Sequence, residues 1–250
     1  MDLDPTRRFS ARVDAYSRYR PSYPPEVAAL LARDCGLTAD SRIADIGSGT
    51  GLLAELFLRC GCEVFGVEPN PDMRHAAERL LAGEARFRSV AGRAEATNLP
   101  DKSVDFVTAG QAFHWFDPGC ARTEFRRIVR PGGWLALVWN ERAPANHGFQ
   151  ADYEAMVRRY APEVLRIRAD AIEQVFGGCA WRSEQFPNRQ RLACAGLEGR
   201  LSSSSYAPLP GTPEHAVMRE ALGRLFDEYQ SGGTVTLWYE TKVYVGRIGA

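Results

Sequence analysis

The stretch Ile43-Ala44-Asp45-Ile46-Gly47-Ser48-Gly49-Thr50-Gly51 holds the residues best suited to chemistry. An apolar run enters a glycine turn, and a helical pattern over Leu52–Arg59 follows at once. Glycine reaches backbone dihedrals closed to other residues and lets main chain approach a ligand. The start of the helix adds amide donors without intrahelical partners. The spacing is not GxGxxG, because Leu52 follows Gly51, which argues against a nicotinamide site. No Gly-Lys-Ser/Thr ends the turn, which argues against a triphosphate site. Asp45 precedes the first glycine on the strand, and Glu68 closes the next apolar run, Val64-Phe-Gly-Val-Glu68. A carboxylate at Glu68 can accept hydrogen bonds from two ribose hydroxyls, or it can simply cap the next helix. Acidic residues beside such a loop suit a ligand with a cationic or hydroxylated part better than one rich in phosphate.

Further candidates lie downstream. His114, in Gln111-Ala-Phe-His-Trp-Phe-Asp117, can take a proton from a substrate as a neutral imidazole or can fix the loop. Trp115 and Phe116 suit a pocket wall. Asn140 offers a donor and an acceptor to a substrate, with loop capping as the alternative. Arg142 can grip a carboxylate bidentately or lie solvated at the surface. Ser202–Ser205 and Tyr206 read as a late loop able to fold over a substrate. No Asp/His relay and no GxSxG accompanies these serines, so a serine hydrolase is rejected. His75, His114, His147 and His215 are scattered, and Cys60-Gly61-Cys62 is too tight for the usual ligand spacing. No metal is expected.

Positioning these residues requires a sheet. Strands are predicted at Arg42–Ile46, Glu63–Glu68, Arg86–Ala91, Val104–Ala109, Trp134–Trp139, 183–194 and Val235–Val245. Helices are predicted at 24–35, Leu52–Arg59, Asp72–Leu81, Cys120–Val129, 150–165 and 213–230. This βαβα rhythm implies an α/β fold with a mainly parallel, seven-stranded sheet and helices on both faces. The ligand crevice then falls at the C-terminal strand ends. Residues 7–25, rich in Arg, Tyr and Pro, read as an arm with one short helix.

The ordered segments DIGSGTG, VEPN, AGRAEATNLPDKSVDFVTAGQAFHWFD and RIVRPGGWLALVW resemble the motifs of class I S-adenosylmethionine-dependent methyltransferases. The leading FSARVDAYSRYRPSYP resembles the arm of the subgroup containing trans-aconitate methyltransferases. The resemblance implies a Rossmann-like sheet whose last strand is antiparallel. It implies one domain over 1–250, with an arm or lid at 1–25, a cofactor-binding core at 40–141 and substrate-side elements at 142–250. The cofactor would be S-adenosyl-L-methionine, leaving as S-adenosyl-L-homocysteine. Its contacts would be Asp45, Gly47, Ser48, Gly49, Glu68, Pro69, Ala94, Glu95 and Gln111. Tyr16, Tyr19 and Arg20 of the arm would close over it. Tyr19, His114 and Asn140 are the catalytic candidates. The reaction would be methyl transfer to an O, N or C acceptor on a small molecule, with a carboxylic acid among the acceptors because of Arg20 and Arg142. An enzyme that displaces internally on the same cofactor, releasing methylthioadenosine, stays open, as does a non-catalytic binder on the same fold.

The bulk properties agree. Lys plus Arg and Asp plus Glu number 31 each among 250 residues, so no net positive field favours nucleic acid or an anionic membrane. The polar start MDLDPTRRF is no signal peptide and no apolar run reaches membrane-spanning length, so a cytoplasmic protein is expected. The six cysteines read as buried or half-buried free thiols in a reducing compartment. The expected partner is a small molecule, and the expected state is a monomer or weak homodimer.

Overall fold

The computed structural model describes residues 13–160, 169–204 and 206–248. Its centre is one seven-stranded sheet. The strands are β1 Arg42–Ile46, β2 Glu63–Glu68, β3 Phe87–Ala91, β4 Val104–Gly110, β5 Val129–Arg142, β6 Trp181–Leu192 and β7 Val235–Arg247. They lie in the order β3-β2-β1-β4-β5-β7-β6. β1 pairs in parallel with both β2 and β4, so the strand order reverses there and leaves a crevice beyond the C-terminal ends of those strands. β3 and β5 continue the parallel set. β7 runs antiparallel to both β5 and β6.

The helices are α1 Val13–Tyr19, α2 Glu26–Cys35, α3 Leu52–Arg59, α4 Pro71–Leu80, α5 Pro118–Ile128, α6 Gly148–Arg158, α7 Ala169–Phe176, α8 Cys194–Ser202 and α9 Pro213–Tyr229. Alternating strand residues feed two cores. Ile43, Val64, Phe106 and Val138 pack with Leu31 of α2 and Phe57 of α3. Ile46, Val67, Val107 and Leu137 pack with Phe125 of α5 and Phe176 of α7. Covering both faces explains why β1 and β4 are buried along most of their length. A third core joins Tyr153, Leu197, Leu201 and Leu222, from α6, α8 and α9, to Leu237 of β7.

Helix starts follow local chemistry. The Asn70 side chain accepts from the amides of Asp72 and Met73 at 2.8 and 3.2 Å, with Pro71 in the first turn of α4. Asp117 caps α5 through Cys120 N at 2.8 Å, and Thr212 caps α9 through His215 N at 3.2 Å. These caps answer orphan amides of the first turn, and proline there sacrifices no bond.

Several expectations need correction. The helix expected over 150–165 is α6 and ends at Arg158, while 161–168 lie outside the described residues, as do residues 1–12 of the arm. The segment expected as a late loop begins inside α8. Ser203 and Ser204 are buried, and Ser205 lies outside the described residues. Cys60, Cys120 and Cys194 are exposed rather than buried, each lying at or beside a helix end.

Candidate functional site

The glycine turn sits at the reversal point. Gly47, Gly49 and Gly51 have φ of +65°, +56° and +87°. A Cβ on Gly47 would lie 2.6 Å from Ala112 Cβ, while one on Gly49 would point into space bounded by Tyr16 Cε1 at 3.9 Å. Gly47 and Ser48 donate their amides to the Val67 carbonyl at 2.8 and 3.2 Å, which fixes the turn against β2.

Glu68 ties the loop from the other side. Its Oε2 accepts from Gly49 N at 3.0 Å and its Oε1 from Asn70 N at 2.9 Å. The carboxyl is 9% exposed. Burial raises its pKa, and the amides of Asn70 and Gly49 and the Arg74 cation oppose that rise. Each oxygen keeps a lone pair for a ligand donor.

Asp45 is buried to 1% exposure. Its Oδ1 accepts from the Thr108 hydroxyl at 3.1 Å, while its Oδ2 is buried without a hydrogen-bond partner. Burial pushes its pKa up to about 7, against the Thr108 bond and with the help of the Glu68 charge. A dry carboxylate with one idle oxygen is costly unless a donor or cation reaches it.

Gly47, Gly49 and Glu68 border a cleft of about 830 Å³, its open mouth included, whereas Asp45, expected as a cofactor contact, is buried two residues before Gly47 and does not line it. The floor is Gly47, Gly49, Glu68 and Pro69. Met73 of α4 and Arg93, Ala94 and Glu95 after β3 form one wall. Gly110, Gln111, Ala112, Trp115 and Phe116 after β4 form the other, and Tyr16 of α1 covers the mouth. Gln111 adopts φ +57°, a left-handed conformation unusual for a residue with a side chain. It is held by β5: Asn140 N donates to its Oε1 at 2.9 Å, and its Nε2 donates to the Asn140 carbonyl at 3.2 Å.

Other expected residues point elsewhere. Tyr19 is not a cleft residue: its ring packs where a Cβ on Gly199 of α8 would fall, and its carbonyl accepts from Gln190 at 2.8 Å. Arg20 lies behind Tyr16, 4.7 Å from that ring's centroid. Ser48 contributes its backbone to the turn but does not line the cleft. Asn140 is 6% exposed and its side chain is engaged within the protein. Its Nδ2 donates to the Ser22 carbonyl at 3.3 Å, and its Oδ1 accepts from Thr241 at 2.5 Å and Asn188 at 3.3 Å. It therefore pins the arm to β6 and β7 instead of presenting a free amide. The His114 ring lies tilted against Trp115 at 4.5 Å and edge-on to Trp139 at 5.1 Å between centroids. Its Nδ1 is buried without a partner, and burial, then the Arg20 cation, lowers its pKa to about 4. Of the arm residues Tyr16, Tyr19 and Arg20, Tyr16 lines the cleft, while Met73, Arg93 and Ala112 line it beyond the residues expected there. Only the position of Met73 just after VEPN hints at these in sequence. Among the described residues no cluster of three or more His, Cys, Asp or Glu could hold a metal, and no helix is long and apolar enough to cross a membrane.

An open parallel sheet with a glycine-floored, acid-edged cleft at its reversal point defines a cofactor-binding α/β protein. Residues 44–137 match the family described as "Methyltransferase domain". An uncharacterised methyltransferase-like protein of Schizosaccharomyces pombe is 32% identical over 95% of this chain and 94% of its own. An uncharacterised methyltransferase of Mycobacterium tuberculosis is 42% identical over 56% of this chain, and the match spans only 54% of that relative. In fold, the chain is similar to a candidate type II methyltransferase of Anaeromyxobacter dehalogenans, with TM-score 0.70, 22% identity, and 92% of this chain and 99% of that one covered. It is also similar to a phosphoethanolamine N-methyltransferase of Haemonchus contortus in complex with phosphomonomethylethanolamine and S-adenosylhomocysteine. There the TM-score is 0.58 and the identity 16%, over 99% of this chain and 59% of that one. The chain belongs to the class I S-adenosylmethionine-dependent methyltransferase family. The trans-aconitate methyltransferase subgroup stays an expectation of the sequence.

Proposed function

We propose that the protein transfers the methyl group of S-adenosylmethionine to an O, N or C acceptor on a small molecule. The observation that carries this reading is the cleft itself, with its glycine floor and Glu68 edge, next to the buried Asp45 and its unpartnered oxygen. Both fit the cofactor. The idle Oδ2 suits a cationic amine, and the Gly49 position leaves open the space that a side chain would take. Gly47, Gly49 and Asp45 would hold the methionine end, Glu68 and Pro69 the ribose, and Ala94 and Glu95 the adenine edge. Gln111 would border the methyl.

Bound there, the cofactor supplies an electrophilic carbon on a sulfonium, so the chain's task is to position the acceptor in line and exclude water. Tyr16, Trp115 and Phe116 close the cleft with rigid aromatic surface. A carboxylate acceptor needs no base at pH 7. For an acceptor that does, His114 holds an unprotonated nitrogen, but a pKa near 4 makes it a weak base. Residues 142–250 supply the substrate side.

The test is a metabolite screen with labelled methyl donor. Expected are binding of S-adenosylmethionine with micromolar affinity, about 8 kcal/mol, and S-adenosylhomocysteine as product. Preferred binding of NAD would sink the assignment. Methylthioadenosine as product would instead mark internal displacement.

A further inference from the structure

The inward face of β6 reads Phe186, Asn188, Gln190, Leu192. Phe186 packs on the first core and Leu192 belongs to the third, but the two positions between them are amides. β6 pairs Asn188 with Tyr239 and Gln190 with Leu237, and both partners are buried. Directly paired residues share a sheet face, so the amides point the same way as these two. Both amides serve the arm. Gln190 Nε2 donates to the Tyr19 carbonyl at 2.8 Å, and Asn188 Nδ2 donates to the Ser22 carbonyl at 2.8 Å. Tyr19 ends α1, where carbonyls lack an intrahelical partner. Pro21, Pro24 and Pro25 carry no N–H and keep the following stretch out of any ladder. Among the described residues no backbone amide reaches either carbonyl.

Asn140 joins this clamp to the cleft. Its Nδ2 is a second donor to the Ser22 carbonyl, at 3.3 Å, and its Oδ1 accepts from Asn188 and Thr241. Its main chain serves the opposite wall. The β4–β5 ladder ends with Gly110 beside Val138. Beyond it the Gln111 side-chain amide stands in for the next strand residue, accepting from Asn140 N and donating to the Asn140 carbonyl. A left-handed residue with a side chain persists only where its surroundings fix it, and at Gln111 that fixing group is Asn140. The arm also presses on the same turn directly, because a Cβ on Gly110 would lie 2.5 Å from the Tyr23 hydroxyl oxygen. Tyr16, Gly110 and Gln111 line the cleft, whereas Ser22, Asn140 and Asn188 do not.

We propose that Asn140 is a positioning residue of the cofactor cleft. Its main chain holds Gln111 on one wall, and its side chain holds the arm at Ser22, so that Tyr16 is set over the cofactor at a fixed distance from that wall. The inference rests on the methyltransferase reading above and adds to it the residue that ties the two walls together. Asn188 supports it from the edge strand, through the same carbonyl. Replacing the Asn140 side chain leaves its main-chain bonds to Gln111 in place, so the effect on a ligand passes through the arm.

The experiment is a double-mutant cycle on the full chain, read by calorimetric titration with S-adenosylhomocysteine. Tyr16→Ala and Asn140→Ala are each expected to weaken binding by about tenfold, the scale of one buried hydrogen bond or a lost contact. In the Tyr16→Ala background, Asn140→Ala is expected to add less than about threefold, because the side chain it positions is gone. Additive losses would show that Asn140 steadies the sheet without acting through the arm, and would overturn the proposal. An unchanged affinity in either single variant would overturn it too. If Asn140→Ala gives no cooperative thermal transition, Asn188→Ala takes its place in the cycle with the same outcomes, since its amide reaches the same carbonyl from a half-buried position on the edge strand. Each of these failures, in a protein that binds S-adenosylhomocysteine, leaves the methyltransferase reading standing. Failure of the unaltered protein to bind S-adenosylhomocysteine would remove both.

Discussion

Replacing Asp45 by Asn isolates the buried acid beside the glycine turn. Its carboxyl has an ordinary pKa of 3.8 and is lifted to about 7 in the fold. That gap of roughly three pH units corresponds to about 4 kcal/mol, at about 1.4 kcal/mol per unit. The folded state holds this proton more tightly than the unfolded chain. The associated stability is therefore complete below about pH 4 and is lost as pH rises through about 7. In Asp45→Asn the group cannot ionise. Urea titrations at several pH values are expected to show the unaltered, ligand-free protein losing up to about 4 kcal/mol relative to the variant between pH 4 and 8. Cofactor binding reports the same proton. If the carboxyl ionises against the cationic amine, calorimetry in buffers of different ionisation enthalpy gives release of about 0.9 proton per ligand at pH 6 and about 0.1 at pH 8. The variant releases none. Parallel pH profiles for the two proteins, together with no proton release, would refute the account of Asp45 as a buried acid awaiting a cation.

Three other substitutions probe the remaining parts. Glu68→Ala strips the acceptor from the amides of Gly49 and Asn70 and from any ligand hydroxyls. Calorimetry is expected to show cofactor affinity falling by roughly 1–3 kcal/mol, and an unchanged affinity would exclude Glu68 as an anchor. Gly49→Val places two methyls in the space facing Tyr16 at a positive φ. Loss of cofactor binding with a native circular dichroism spectrum is expected, and retained binding would contradict the cradle. His114→Ala, assayed on whichever acceptor turns over, separates two roles: a base predicts a loss of roughly 10²–10⁴-fold in turnover with cofactor affinity intact, and a loss below about tenfold assigns the ring to loop shaping.

Much of the cofactor half was legible because its signals are local. β1, β2 and α3 fall at the expected boundaries, since glycine or proline follows each at once or within two residues (Gly47, Pro69, Gly61) and marks the switch from one periodicity to the next. The site's side-chain directions were not legible. Tyr16 and Tyr19 are near neighbours in one arm, yet only Tyr16 reaches the cleft, because the helix turns Tyr19 onto α8. Asn140 looked like a rim residue from its position after an apolar run. Its partner Thr241 lies across the β5–β7 register, which no local pattern reveals. Helix α8 escaped notice because CAGLEGRLS carries two glycines, each costing about 1 kcal/mol in a helix. Gly199 is retained because the Tyr19 ring occupies the space a side chain would need.

The placement of α1 carries a kinetic consequence. One face of this short helix packs Val13 and Tyr16 with Met73 and Ala76 of α4, beside the cofactor cleft. Its other end sets Tyr19 on α8 and leads into Arg20, which reaches Ser203. A single seven-residue segment thus ties the wall of the cleft to α8. Any swing of α1 away from the cleft also pulls Tyr19 off α8 and Arg20 off Ser203. The escape rate of S-adenosylhomocysteine, followed by stopped flow, should rise when the Val13 contact of α1 with Met73 and Ala76 is trimmed.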